Sequence, residues 1–232
     1  DAAIIAEYGC LHQPEAWSPP AQYLVTLQQL DAMREKVITQ LTVLSNQLEA
    51  FTSGGMMQKE VKMLLNKMIR YQQKMLQQLD DRIESIIMQY HKEMLTNLIT
   101  IPGIAKKTAS VLIRITGGFS RFQNVKQLCA YVGMSPRIYE SGTSIKGKAR
   151  ICKLGMSRVR SMLYVCAWTA KQYNKACAEL YERLVAKGKA KRLAVVAVAN
   201  KLLRQAFAIA TRNKPYLIQQ RKKKKLFVFR YS

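Results

Sequence analysis

The sequence predicts a mainly α protein: a long antiparallel coiled-coil hairpin, then a compact helical domain containing a helix–hairpin–helix-like motif. Two observations carry that class. Two long stretches repeat apolar residues at alternating spacings of three and four on either side of Ser53-Gly54-Gly55; that is the period of paired helices sharing a narrow seam. After residue 98 the apolar helical patterns shorten, and Pro-Gly and Gly-Gly pairs punctuate them.

The elements follow in order. Asp1 to Gly9 reads as a helix met midway with Asp1 at its start, and the chain opens without methionine, as a fragment or processed product does. Pro14, Trp17, Pro19 and Pro20 mark a connector over 10–20. The first arm carries Leu27, Leu30, Val37, Leu41, Leu44, Leu48 and Phe51, with Arg34 in one slot. The second carries Val61, Leu65, Met68, Met75, Leu79, Ile83, Ile86, Tyr90 and Met94, with Gln72 as its polar slot. At 1.5 Å per residue such arms reach about 45–60 Å. A helical bundle inside one globular domain is the alternative.

Next come Ile101-Pro102-Gly103-Ile104 and a new helix opening on Lys106-Lys107-Thr108. Gly103 permits a sharp turn, and the following helix start offers free N–H groups to a phosphate. A plain helix turn would look the same. Gly117-Gly118 ends this helix, Val125–Val132 forms a short one stopped by Gly133, and 134–150 reads as a loop or hairpin. One helix is expected near 155–185 and another near 190–212, whose alanines allow close approach. Arg221 and Lys222–Lys225 form a basic tail.

Charge narrows the partner. The 232 residues are ordinary in apolar content (49%) and charged content (22%), but the net charge is +24. Residues 1–98 hold 9 Lys/Arg against 11 Asp/Glu, while 99–232 hold 29 against 3, namely Glu140, Glu179 and Glu182. A half that basic should face a polyanion, with nucleic acid the leading partner. A solvated basic surface is the alternative, and charge alone also admits a ribosome- or RNA-associated structural protein.

Several classes fall away. No run of 18 apolar residues is present to span a membrane, and no basic-then-apolar signal opens the chain. Five cysteines without Cys-x-x-Cys spacing argue for reduced thiols in a cytosol and against structural zinc. His12 and His91 both lie in the first half, so a histidine metal site or a Ser–His–Asp triad in the basic half is excluded by inventory. Three ungrouped acids there cannot build a carboxylate metal site, although Asp1 could join one if other ligands lie on another segment. A hydroxyl nucleophile is the remaining chemistry. Ser141 precedes a glycine, and Arg137, Lys146, Lys148, Arg150 and Lys153 flank it in sequence. Cations so placed could bind a scissile phosphate and stabilise its transition state. A serine turn in a basic loop is the alternative.

The run from Tyr131 to Trp168 resembles the C-terminal domain of transposases of the insertion-sequence one-ten family. The residues that carry the likeness are Gly133 and Pro136, Ser141-Gly142, and Cys152-Lys153-Leu154-Gly155 with Arg160. Ile101-Pro102-Gly103-Ile104 is similar to the start of that domain, and the opening Asp-Ala-x-x-Ile-Ala resembles the end of the family's RuvC-like DEDD domain. The likeness covers nearly the whole chain, and the order of its motifs is more specific than any one of them.

The resemblance implies four segments: 1–19 as a RuvC-like remnant and connector, 20–98 as coiled-coil hairpin, 99–215 as serine-bearing transposase domain, and 216–232 as basic tail. It implies a DNA recombinase guided by a noncoding RNA, with a composite site. Ser141 is the implied nucleophile and Ser144 its rival; Asp1 matches the last metal-binding acid. Magnesium (Mg2+) is implied only together with the absent acidic domain. Lys106, Lys107, Thr108, Arg137, Lys146, Lys148, Arg150, Lys153, Arg158 and Arg160 are the expected nucleic-acid contacts. A homo-oligomer, dimer or tetramer, is expected to form through the coiled coil, with no membrane, in a bacterial or archaeal cytoplasm beside the nucleoid. The sequence departs from the family in two ways: three further acids are missing, and Cys152 stands where the family has serine. The chain alone is therefore expected to be inactive. The other reading is a non-catalytic nucleic-acid-binding and oligomerisation protein.

Overall fold

The computed structural model describes residues 1–13, 19–137, 140, 141, 145, 146, 150, 151 and 154–217. These are mainly helical, as the sequence predicts. The helices are α1 (Ala2–His12), α2 (Gln22–Ser53), α3 (Lys59–Tyr90), α4 (Lys92–Ile99), α5 (Lys106–Thr116), α6 (Val125–Val132), α7 (Ser157–Tyr173), α8 (Lys175–Ala186) and α9 (Lys191–Arg212). Four two-residue strands, β1 (Pro136–Arg137), β2 (Glu140–Ser141), β3 (Ile145–Lys146) and β4 (Arg150–Ile151), lie between α6 and α7.

Helices α2 and α3 are 32 residues each, about 48 Å long. They turn back on each other around Gly55, whose φ is +71°. Their seam holds Leu27, Val37 and Leu44 against Leu65, Leu79, Ile83 and Ile86. Arg34, the charged slot, is only 7% exposed. Its guanidinium grips Asp80 of α3 with both a short Nε contact to Oδ1 and an Nη2–Oδ2 bond of 3.3 Å. A buried fork of this kind fixes register more than it stabilises. Towards the turn the seam opens: Phe51, Val61 and Met68 are 43%, 40% and 53% exposed. Within one chain the predicted seam is thus closed from its base as far as Leu44 and Leu65, with open positions around the turn.

Two helices are shorter than their periodicity implies. The second arm does not run through Met94, because His91 (φ −133°, ψ 24°) breaks it and α4 restarts there. The helix expected near 155–185 is split at Asn174. Asn174 leaves the helical region and caps α8, its Oδ1 accepting from Cys177 N at 3.3 Å. Asparagine is a strong N-cap, and here the cap overrides an unbroken apolar pattern.

The core lies in the second half. Leu163, Ala167 and Ala170 of α7 meet Val195, Val198, Ala199, Leu202, Leu203 and Ala206 of α9, all fully buried. The small residues let the helices approach closely, as expected. Helix α9 is long and apolar enough to cross a membrane by length and composition. Its apolar face instead forms this core, joined by Leu98, Leu112, Ile113 and Leu128 from α4, α5 and α6. The hairpin base belongs to the same core through Leu27, Ile83, Ile86 and Ile87.

Candidate nucleic-acid interface

The turn between α4 and α5 is built by two residues. Ile104 N donates to Ile101 O at 2.9 Å, with Pro102 and Gly103 between them. Gly103 has φ +104°, which only glycine adopts freely. A Cβ there would also stand 2.7 Å from the Cβ of Ala170, so the turn presses directly on α7. Ile101 and Ile104 are buried beneath it. Helix α5 then begins with no acid in its first turn and no side-chain cap on Ala105. Its first amides are open to an anion, and the helix dipole favours one.

Lys106 is exposed at this start and pairs with Glu84 of α3. Lys107 lines a cleft of about 400 Å³ between the hairpin base, α5 and the start of α7. Thr108 faces inward: it is 6% exposed, and its Oγ1 lies 3.3 Å from Cys166 Sγ. Its side chain packs α5 on α7, while its backbone N–H remains among the open amides of the helix start.

The cleft floor is ionic. Arg114 of α5 contacts Asp31 of α2, Nε to Oδ1 at 2.6 Å, with both side chains largely buried. Burial pushes the Asp31 carboxyl above its ordinary range, against the pull of Arg114. Burial likewise lowers the Arg114 guanidinium. Nearer the surface Arg158, at the start of α7, pairs with Glu35 of α2. The charges that tie the hairpin to the basic domain are therefore Asp31, Glu35 and Glu84 on one side, Arg114, Arg158 and Lys106 on the other. Arg114 and Asp31 escaped the sequence reading, since an arginine inside VLIRIT carries no mark of its distant partner.

The segment bearing the serines is a hairpin. Pro136 stands opposite Ile151, Arg137 opposite Arg150, Glu140 opposite Lys146 and Ser141 opposite Ile145. Ser141 is thus the last paired position before the turn. Ser144, Lys148 and Lys153 lie outside the described residues. The feet of the hairpin are held firmly. Gly133 closes α6 at φ +78°, and Met134 N donates to Cys129 O at 2.8 Å. Asn200 Nδ2 of α9 donates to Met134 O at 3.1 Å. On the other foot a Cβ at Gly155 would meet Tyr131 O at 2.7 Å, so the two feet touch. Arg160 joins them: its Nη1 donates to Val132 O at 3.0 Å and to Leu154 O at 3.5 Å. Arg160 therefore positions the hairpin.

Asp1 caps α1 without a side-chain hydrogen bond. No group of three potential metal ligands occurs among the described residues. Among the described residues Asp1 belongs to no such group, so they do not fit a magnesium ion by themselves. Cys10, Cys129, Cys166 and Cys177 are free. Burial pushes the Cys177 thiol up to about 11, so it is neither thiolate nor nucleophile near neutrality.

Residues 95–182 match the family described as transposase IS116/IS110/IS902. The chain is 31% identical over 223 residues to a pilin gene-inverting protein of Moraxella lacunata. It is 32% identical over 222 residues to a pilin gene-inverting protein of Moraxella bovis. Each alignment covers 93% of this chain and 66% of the relative. An insertion element IS110 protein of Streptomyces coelicolor is 28% identical over 112 residues, 48% of this chain and 27% of that protein.

Proposed function

Because this chain belongs to the transposase IS116/IS110/IS902 family, we propose that it is the arm and serine-bearing part of a DNA recombinase. The observation that carries the reading is the likeness to pilin gene-inverting proteins over 93% of the chain. The basic second half and the open, lysine-flanked start of α5 are consistent with a DNA backbone as ligand.

Ser141 is the nucleophile in this reading, with Ser144 as its rival. As the Oγ–P bond forms, one P–O bond to a flanking sugar breaks. The hydroxyl proton passes to a base, and the departing sugar oxygen takes one up. The phosphoester keeps the bond available for rejoining. Lys106 and Lys107 hold the backbone, and Arg160 fixes the hairpin that presents the serine. Asp1 contributes one carboxylate to a magnesium site whose other acids come from outside this sequence. A guide RNA selects the DNA, in a bacterial or archaeal cytoplasm. The open seam at Phe51, Val61 and Met68 supports a homo-oligomer through the hairpin.

The test is adduct formation. Joined to an acidic RuvC-like domain, the chain should form protein–DNA adducts that survive denaturant. Ser141→Ala should abolish them, or Ser144→Ala if that serine is the one. Adducts that persist in both variants exclude the serine assignment. Salt-sensitive DNA binding without any adducts favours the non-catalytic reading.

A further inference from the structure

We propose that the outer face of α3 is a second DNA-backbone surface, separate from the basic domain. It extends the DNA-binding reading above and rests on it. Lys59, Lys62, Lys67, Arg70 and Lys74 are all exposed and fall on one side of the helix. Their spacings of three, four, five, eight and eleven keep them within about two-fifths of a turn at 3.6 residues per turn. That side is opposite the seam residues Leu65, Leu79 and Ile86. The chain's average hides it, because the first 98 residues are near neutral as a whole. Between Lys59 and Lys74 the only acid is Glu60, which lies outside this cationic arc.

Three features choose the ligand. Five cations along about 22 Å of straight helix match a repeating anion better than a single one. The face carries Met63 and Asn66 between its cations, and a single exposed ring, Tyr71, at its edge, so it lacks the row of stacking platforms of a single-strand binder. Finally, Arg70, Gln77 and Glu84 recur every seven residues on one outward line. Glu84 on that line meets Lys106 at the start of α5. The stripe and the α5 start therefore share one side of the arm. From Lys67 to the base at His91 is about 36 Å along the helix, close to one turn of duplex. Duplex DNA leaving the basic domain along the arm reaches the stripe after about ten base pairs.

The experiment uses the full chain and fluorescence anisotropy with a hairpin-closed stem of about 6 base pairs (about 20 Å at 3.4 Å per base pair) and a duplex of about 40 base pairs. Lys62→Gln/Lys67→Gln/Arg70→Gln should weaken binding of the 40-base-pair DNA roughly tenfold at low salt. Its salt slope should fall by about 2.7, at about 0.9 per lost phosphate contact. Binding of the 6-base-pair stem, held by the basic domain and too short to reach the stripe, should change less than about twofold. Unchanged affinity and slope on the long DNA overturn the proposal. So does a loss seen with a 40-base-pair RNA duplex and not with DNA. Loss of the short-duplex binding in Lys106→Gln/Lys107→Gln supports the basic-domain reading independently, and its persistence counts against that reading alone. Circular dichroism of the triple variant should match the parent, since the three side chains are solvent-facing.

Discussion

The base and the tip of the hairpin share one apolar pattern and differ in everything else. At the base Leu27 and Ile87 are 0% exposed and Ile83 is 3%. They belong to the core of the helical domain. At the tip Phe51, Val61 and Met68 keep the same spacing but stay open to water. The difference teaches that a three-four repeat states which side of a helix needs covering and is silent on what covers it. At the base the cover is α4 and α5. At the tip a second copy is the proposed cover.

The largest effect separates the two regions directly. Ile87→Ala should cost about 4 kcal/mol of unfolding free energy, as buried isoleucine deletions do. Met68→Ala should cost less than about 0.5 kcal/mol in dilute solution and weaken self-association instead. Urea titration and sedimentation read the two. A large loss at Met68 in the monomer would dissolve the distinction.

Next in size are the ion pairs. Asp31→Ala strands Arg114 in a largely buried position and should destabilise by about 3 kcal/mol. Glu84→Ala removes an exposed pair with Lys106 and should change stability by less than about 0.5 kcal/mol. Equal effects in thermal denaturation would mean that the base is no drier than the surface.

The smallest effect is one of pH. Burial lowers the His91 imidazole at the break between α3 and α4. The folded chain then binds fewer protons than the unfolded one. His91 thus contributes stability that is complete above the ordinary imidazole range and is lost as pH falls through the folded value. His91→Gln should flatten the stability profile in that window without altering it above neutrality. A profile that stays steep would assign the titration to another group.

Much of this was legible because it is local. Arm lengths, the Gly55 reversal, the Gly103 turn and the Gly133 stop all follow from residues within one turn of each other. The breaks at His91 and Asn174 were not, because the apolar repeat continues through both. Tertiary contacts decide them: His91 fills the space left by Gly118, where a Cβ would lie 2.4 Å from the ring. Asn174 bonds to Gln205 Oε1 at 2.9 Å. The candidate site divides the same way. The place of Lys106 and Lys107 at an uncapped helix start was legible from the turn they follow. The inward turn of the Thr108 side chain was not legible, because position in a turn does not reveal which way a helix face looks. Arg160 was marked as a cation for DNA, yet its acceptors are carbonyls of two segments that only the fold brings together.

Tyr216 N donates to Thr100 Oγ1 at 2.7 Å, and its hydroxyl donates to Asn174 Oδ1 at 3.1 Å. This clasp anchors the C-terminal strand of sequence beside the α4–α5 turn. The exit of α9 is thereby stitched to the two turns that open α5 and α8, so these three helix ends are held as one unit.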